Sequence, residues 1–477
     1  MCKTRDLLII VYLLFFFVQS DAQSFFKKYS LDDTSWIERK FNIHLLEGNL
    51  FATTLYSSGP TLDPFSELMV DQLDMNNGDI ISRIKFPNEY SFVAHKSVVY
   101  NNSIFGIGWQ SNQGGFNTES IGLYKVSSDK ELQYFMELGD STRRDIPIDL
   151  IVNTNEEIVI VSNRKFESGG GTTSKGVVTK TDSEGSRLWE YVDDIASARI
   201  EMRSVTIDDN DNIYALSNQD GIEDSVRLTK LTPDGSKIWT RTYQEGFHSK
   251  SQQIRNLKNG NLLIAGYAFY DKYGGQTSNF YMEIDTAGNP IWIKDYRPDI
   301  GGVAFESEIN ILEDGRIARV YDGFGYPTLM VNHPNGVIDF IRNYDDLDVR
   351  FPDDLLQLDD GSFVIIGWIN PNLNPDGFTS WMMRTDTEGN LVTSISEINS
   401  IEADFSLYPN PTSSILNIEF EKDSDLDRIV VFDLWGTEIQ EYEPRSQINV
   451  LSLKSGTYIL CRIDKDGHVK SNKFVKL

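Results

Sequence analysis

Seven copies of a unit of 46 to 56 residues, each readable as four short strands, predict an all-β fold: a seven-bladed β-propeller followed by a small antiparallel, immunoglobulin-like β-sandwich. Two turn markers count the copies independently. The first falls just before Leu50, Ile104, Ile158, Ile213, Leu262, Ile317 and Phe363; the second falls at Gly78, near Asp129, and at Gly185, Gly235, Gly288, Gly336 and Gly389. The pattern stops after residue 398, which sets off the sandwich.

In chain order, the first element is a secretory signal. Lys3 and Arg5 precede the apolar run Leu7–Val18, and Ser20-Asp21-Ala22 places small residues where a signal peptidase reads them. Residues 1–22 are expected to leave. The run is 12 residues long, short of the roughly 20 that span a bilayer, so no transmembrane segment is expected in the mature chain. Cys2 leaves with the signal and Cys461 remains alone. Without a disulfide the fold must rest on core burial, and Cys461, after an apolar strand, is expected to be buried and inert.

Residues 23–398 form the predicted propeller. The unit is clearest over Glu201–Tyr243: RSVTI, the turn DDNDN, IYALS, a polar loop, VRLTKL, the turn TPDG, and SKIWTRTY. Period-2 apolar alternation bounded by Asp, Asn and Gly reads as strands a to d of one blade. The segments LTPDGSKIWTRTY, IDTAGNPIWIKDY and KTDSEGSRLWEY echo one another and place Trp189, Trp239 and Trp292 on d strands, where large rings are expected to wedge between blades. Gln23–Phe41 is expected to close the ring beside Leu391–Ile398. An eight-bladed ring, with that segment as part of an extra sheet, is the alternative.

Four strands per blade put the a–b and c–d turns at one end and the b–c loops at the other. The turns are short and stereotyped; the b–c loops vary, and variable loops on a rigid scaffold are where binding usually resides. The loops read as Tyr56–Ser66, Trp109–Ser120, Asn163–Gly176, Ser217–Asp224, Tyr267–Asn279, Tyr321–Pro327 and Trp368–Ser380. They carry many aromatic residues, with Asp63, Glu119, Asp271, Asp322 and Asp376 among them. Rings beside carboxylates suit a sugar face or a peptide groove. Trp109, Tyr270, Tyr273, Phe324 and Trp368 are the candidate binding residues.

The formal net charge of −27 argues against nucleic acid, whose phosphates need a basic face. No cofactor and no metal are expected. The five His have no ligand spacing, and there is no Cys pair and no H-E-x-x-H. Asp208–Asn212 lacks the glycine and closing Glu of a calcium loop and reads as an Asx-type turn. Gly169–Gly176 lacks phosphate-loop spacing, and no G-x-S-x-G elbow occurs. No catalytic residue is assigned. Three classes stay open: a binding module for glycan or protein, a hydrolase or lyase acting on polysaccharide, and a structural surface-layer component. Two or three carboxylates in the central channel, with a His or Arg nearby, would favour the enzyme.

Residues 399–404 read as a polar joint. Beyond it, strands are expected at Ser414–Glu421, Arg428–Asp433, Ile448–Leu451, Thr457–Ile463 and Val469–Lys476. Four blocks stand out: FSLYPNPTSSILNI from Phe405, DLWGTEI from Asp433, INVLSLKSGTYIL from Ile448, and the final KFVKL. With Tyr408, Pro409, Asn410, Pro411, Gly436, Gly456, Tyr458 and Lys473 as its motif residues, residues 405–477 resemble the type A C-terminal sorting domain of the Bacteroidetes type IX secretion system. The resemblance implies that the secretion machinery is a partner of the tail. It also implies that the protein is secreted, extracellular or attached to the outer surface, and that the tail is often removed at the joint. It implies no activity.

Overall fold

In the computed structural model, every described element is a β-strand. The structure describes residues 24–30, 36–58, 67–86, 91–111, 119–138, 144–168, 171–195, 198–220, 224–246, 248–270, 277–296, 308–323, 325–345, 347, 349–369, 378–391, 405–420, 426–433, 438–464 and 469–477. The expected signal and the joint lie outside them. The chain divides into two compact units, Met1–Thr393 and Ser394–Leu477.

The first unit holds seven four-stranded antiparallel sheets. Their a strands are Trp36–Leu46, Ser91–Tyr100, Arg144–Val152, Arg199–Ile207, His248–Asn256, Glu308–Ile311 and Pro352–Gln357. Each touches the a strands of the two neighbouring blades, and the last touches the first, so seven a strands line a closed central channel. One apolar cluster fills each of the seven gaps between blades. The b strands show why they are almost wholly apolar. In Leu262–Phe269, Leu262 and Ile264 pack toward the fourth blade while Leu263 and Ala265 pack toward the sixth. Alternate side chains leave opposite faces, and both faces are buried.

A repeated contact locks each blade to the next. The c–d turn has positive φ at Gly78, Gly185, Gly235, Gly288, Gly336 and Gly389, with Lys130 in the second blade. The preceding blade presses a large side chain onto that glycine. A β-carbon on Gly235 would lie 2.8 Å from Trp189, on Gly288 3.0 Å from Trp239, and on Gly336 2.8 Å from Trp292. The three tryptophans therefore wedge between blades, and glycine is required twice over, by φ and by space. Four residues after the ring, a tyrosine hydroxyl donates to the same glycine's carbonyl: Tyr243 to Gly288, Tyr296 to Gly336 and Tyr344 to Gly389, each at 2.8 Å.

The N-terminal strand closes the ring. Phe25–Ser30 is the fourth strand of the seventh blade, paired antiparallel with Phe378–Arg384. Phe25 and Tyr29 repeat the Trp and Tyr roles against Gly78 of the first blade, with Tyr29 donating to the Gly78 carbonyl at 2.7 Å. Its partner is thus the c strand, where the sequence reading placed it beside Leu391–Ile398; residues 392–398 lie outside the described set. Trp36–Phe41 instead begins the first blade's a strand, so there is no eighth sheet in this unit among the described residues.

The second unit pairs a three-stranded with a four-stranded antiparallel sheet over a core that includes Phe405, Leu416, Val431, Leu460 and Phe474. Phe405–Tyr408 and Glu438–Tyr442 are strands that the alternation did not reveal. Cys461 is half-buried, and burial pushes its thiol up, away from the reactive thiolate.

Candidate functional site

The channel is built from one polar residue per blade. In six a strands a β-bulge falls at the same place, and the residue after it is Asn42, Lys96, Asp149, Ser204, Gln253 and Asp354. Glu308 holds the place in the sixth blade. In alternate blades this side chain crosses to the next blade and accepts a backbone N–H. Asn42 accepts from Ser97 at 2.8 Å, Asp149 from Val205 at 3.1 Å, Gln253 from Ile309 at 2.7 Å, and Asp354 from Ile43 at 3.0 Å. The bulge re-aims the side chain, and the backbone group it meets would otherwise be buried without a partner.

The intervening members complete a network. Lys96 reaches across the bore to Glu308 at 2.8 Å, and Glu308 also accepts from Gln253 at 2.7 Å and Arg255 at 2.5 Å. Arg255 continues to Ser204 at 3.2 Å, and Ser204 donates to Asp149 at 2.7 Å. His44 lies 2.7 Å from Ser97. A cavity of about 280 Å³ opens on the a–b turn side of this ring, lined by His44, Val99, Thr206, Asn310 and Leu356 among others.

Three carboxylates with an Arg and a His do therefore meet in the channel. Burial pushes Asp354 up to about 7, with Lys96 opposing and Glu308 adding. Burial alone would raise Glu308 as well, but Lys96 and Arg255 hold it below the usual carboxylate range. Burial, helped by Lys96, pushes His44 down to about 3, so it is a neutral ring. Two carboxyls pushed apart are what an acid–base pair needs. Their bonds serve another purpose: Asp354 accepts from Leu355 N, Ile43 N and Asn42, and Glu308 accepts from three donors.

A pH dependence follows. Asp354 titrates higher folded than unfolded, so its contribution is full below the ordinary Asp range and is lost as pH rises toward 7. Thermal melts of the wild type and Asp354→Asn between pH 4 and 8 should show the wild type losing stability over that interval relative to the variant. Parallel curves would show that Asp354 is ionised throughout.

The other end carries the residues singled out in the sequence. Trp109 lies near the end of the b strand Ser103–Ser111, half-buried, opposite Val93 and Ile121. Trp368 ends the b strand of the seventh blade, stacked on Phe351 at 5.0 Å with the Arg39 guanidinium 4.6 Å from its ring. Arg39 is in turn held by Asp353 at 2.5 and 3.1 Å. Tyr270 is half-buried and packs on the cluster between the fourth and fifth blades. Tyr273 and Phe324 lie outside the described residues. The structure thus places Trp109, Tyr270 and Trp368 on three different blades, each at its b–c end, and records no contact among them. Several expected loops are strand instead. In the hairpin over Asn163–Gly176, Asn163–Ser168 pairs with Gly171–Gly176, and Tyr321 is core, 2% exposed.

In the second unit two of the expected motif residues, Asn410 and Lys473, meet. Asn410 donates to the Lys473 carbonyl at 2.8 Å and accepts from Val475 N at 2.9 Å, and Thr412 is bonded to Val475 and Leu477. Tyr408 to Pro411 and Lys473 are exposed, and Tyr458 is buried under Phe474. Gly436 lies outside the described residues. Residues 406–477 match the family model described as the secretion system C-terminal sorting domain. This tail is a type IX sorting domain. A protein carrying it is exported to the cell surface or beyond, and the sorting tail engages the secretion machinery. No helix among the described residues is long and apolar enough to cross a membrane.

No curated protein matches the chain. Among solved structures, a protein of unknown function from Dyadobacter fermentans is similar at 12% identity and TM-score 0.42, over 61% of this chain and 94% of that one. A putative gluconolactonase is similar at 12% identity and TM-score 0.32, over 62% and 93%. A puromycin hydrolase is similar at 13% identity and TM-score 0.48, over 89% and 58%. Likenesses of this size say nothing about chemistry.

Proposed function

We propose that the propeller is a non-catalytic binding module for a glycan or surface protein, displayed by way of its sorting tail, with the ligand held at the b–c end. The supporting observation is the state of the channel: Asp149, Glu308 and Asp354 are engaged by donors from neighbouring blades, so the groups that would do acid–base chemistry hold the ring together. The b–c ends differ from blade to blade and present half-buried rings. In this reading residues 1–22 are the signal, 23–398 the propeller, 399–404 the joint and 405–477 the removable tail.

The test is a glycan array and a surface-protein pull-down with the exported protein and its Trp109→Ala variant. Trp368 is a poorer probe, because its ring also packs Phe351 and Arg39. Loss of a central aromatic contact is expected to weaken binding by roughly 30-fold, about 2 kcal/mol. Equal binding by both forms would remove Trp109 from the site; no binding by either would overturn the module. The divergent carboxyls of the channel favour a second reading, a polysaccharide hydrolase. Cleavage of any polysaccharide by the wild type, lost in Glu308→Gln, would establish it instead.

A further inference from the structure

We propose that the gap between the second and third blades is a binding site for a phenol ring. Four other gaps are closed there by a tyrosine of the chain itself, and this one is not.

The eighth residue after each c–d turn glycine, or after Lys130 in the second blade, ends the d strand's contact with the next blade. In order it is Phe86, Leu138, Asp193, Tyr243, Tyr296 and Tyr344, and Tyr29 of the closing strand holds the place for the seventh blade. The four tyrosines are buried, and each donates to the next blade's glycine carbonyl at 2.7 or 2.8 Å. Phe86 is buried with its ring 5.3 Å from that of Tyr124, and Asp193 accepts from Arg227 of the next blade at 2.9 and 3.0 Å. Leu138 is half-buried, and an aliphatic side chain has nothing to donate. Gly185, the glycine it faces, is buried, and no group among the described residues donates to its carbonyl.

A cavity of about 290 Å³ lies at this place, walled by Ile121, Met136 and Leu138 of the second blade and by Arg164, Gly185 and Glu190 of the third. That is the small end of the ligand-pocket range. Ile121 and Leu138 are direct cross-strand partners and form one apolar face. Arg164 stands six residues into its b strand, as Ala268 does in the fifth blade, where Ala268 and Tyr243 share one core cluster. Asp145 and Glu190 each take two bonds from the edge of the Arg164 guanidinium, at 2.8 to 2.9 Å. Most of its N–H groups are thereby engaged, and its flat face is left for a ligand. Such a face attracts an aromatic ring. An apolar wall, a guanidinium face and a carbonyl acceptor together match a ring that carries a hydroxyl. Trp109 is the partner of Ile121 on the adjoining b strand, so the cavity borders the b–c candidate without depending on it. Phenol binding and the Trp109 test therefore succeed or fail separately.

4-Methylphenol, 4-methylanisole and N-acetyltyrosinamide should be titrated against the whole protein carrying isotope-labelled methionine methyl groups, with Met136→Leu assigning the Met136 signal. 4-Methylphenol should move that signal and bind with a Kd of about 1 mM or tighter. 4-Methylanisole has no hydroxyl to donate and should bind at least about fivefold more weakly. Leu138→Tyr should place a tyrosine of the chain in the cavity, melt a few degrees higher than the wild type, and lose 4-methylphenol binding. N-acetyltyrosinamide binding as tightly as 4-methylphenol, or more so, would identify the natural ligand group as a tyrosine of a partner protein; weaker binding would identify a free phenol. An unmoved Met136 signal would overturn the inference. So would 4-methylanisole binding as tightly as the phenol, or a Leu138→Tyr variant that melts no higher than the wild type.

Discussion

A chain that begins at residue 31, lacking the closing strand, should no longer unfold as one cooperative unit. Removing Phe25–Ser30 leaves the seventh blade with three strands and strips the last gap between blades of Tyr29. Burial of that ring contributes about 2 kcal/mol, and its hydrogen bond to Gly78 about 1 kcal/mol. The exposed edge of Phe378–Arg384 and the lost contacts of Phe25 add to this, against a total stability of roughly 5–15 kcal/mol. Calorimetry should show a broadened, lowered transition. A synthetic peptide of residues 23–30 should bind the truncated ring and sharpen it again. An unchanged transition would mean that the ring holds without its clasp.

Asp71→Leu should be the most damaging single substitution in the first blade. Lys40 and Asp71 are both fully buried and paired at 3.0 Å, and Arg83 adds bonds to Asp71 at 2.6 and 2.9 Å. Burial would raise Asp71, but Lys40 and Arg83 hold its carboxyl below the usual range. Removing the carboxylate takes away the counter-charge paired with the buried Lys40 ammonium, which sits 4.3 Å from the Tyr29 ring of the closing strand. The expected loss is roughly 3–5 kcal/mol, whereas replacing both partners, Lys40→Met with Asp71→Leu, should recover most of it. Urea unfolding of the two single variants and the double variant measures the coupling. Additive losses would show that the ammonium finds another partner.

The parts of the fold legible in the sequence are those that repeat with one residue type. The c–d glycine and the tryptophan four residues later recur because one steric contact is made between successive blades. The channel ring does not read this way. Asn42, Lys96, Asp149, Ser204, Gln253, Glu308 and Asp354 occupy equivalent places but are not of one residue type: at Asn42, Asp149, Gln253 and Asp354 any acceptor of suitable reach can bond the next blade's N–H, and Lys96, Ser204 and Glu308 join them through side-chain bonds. For six of the seven, the alignment is carried by the bulges. The closing strand carries the same signal: Phe25 and Tyr29 keep the four-residue spacing of Trp239 and Tyr243. Aromatic content puts Trp109 and Trp368 at the b–c end, where the strands place them. It could not separate them from Tyr321, which lies on a strand two residues before the turn and faces the core.

The clasp also sets an order of events. Tyr29 meets Met382 across 353 residues of chain, so a strand that emerges early must wait for one of the last parts of the propeller. Contacts so distant in sequence form slowly. Until then FFKKYS is an unpaired amphipathic edge, open to pairing with other chains, and Lys27 and Lys28 at its centre are the kind of residue that discourages such pairing. Once the ring is shut, Lys27 is paired with Asp79 of the first blade, so a charge that guards the waiting strand becomes part of the lock.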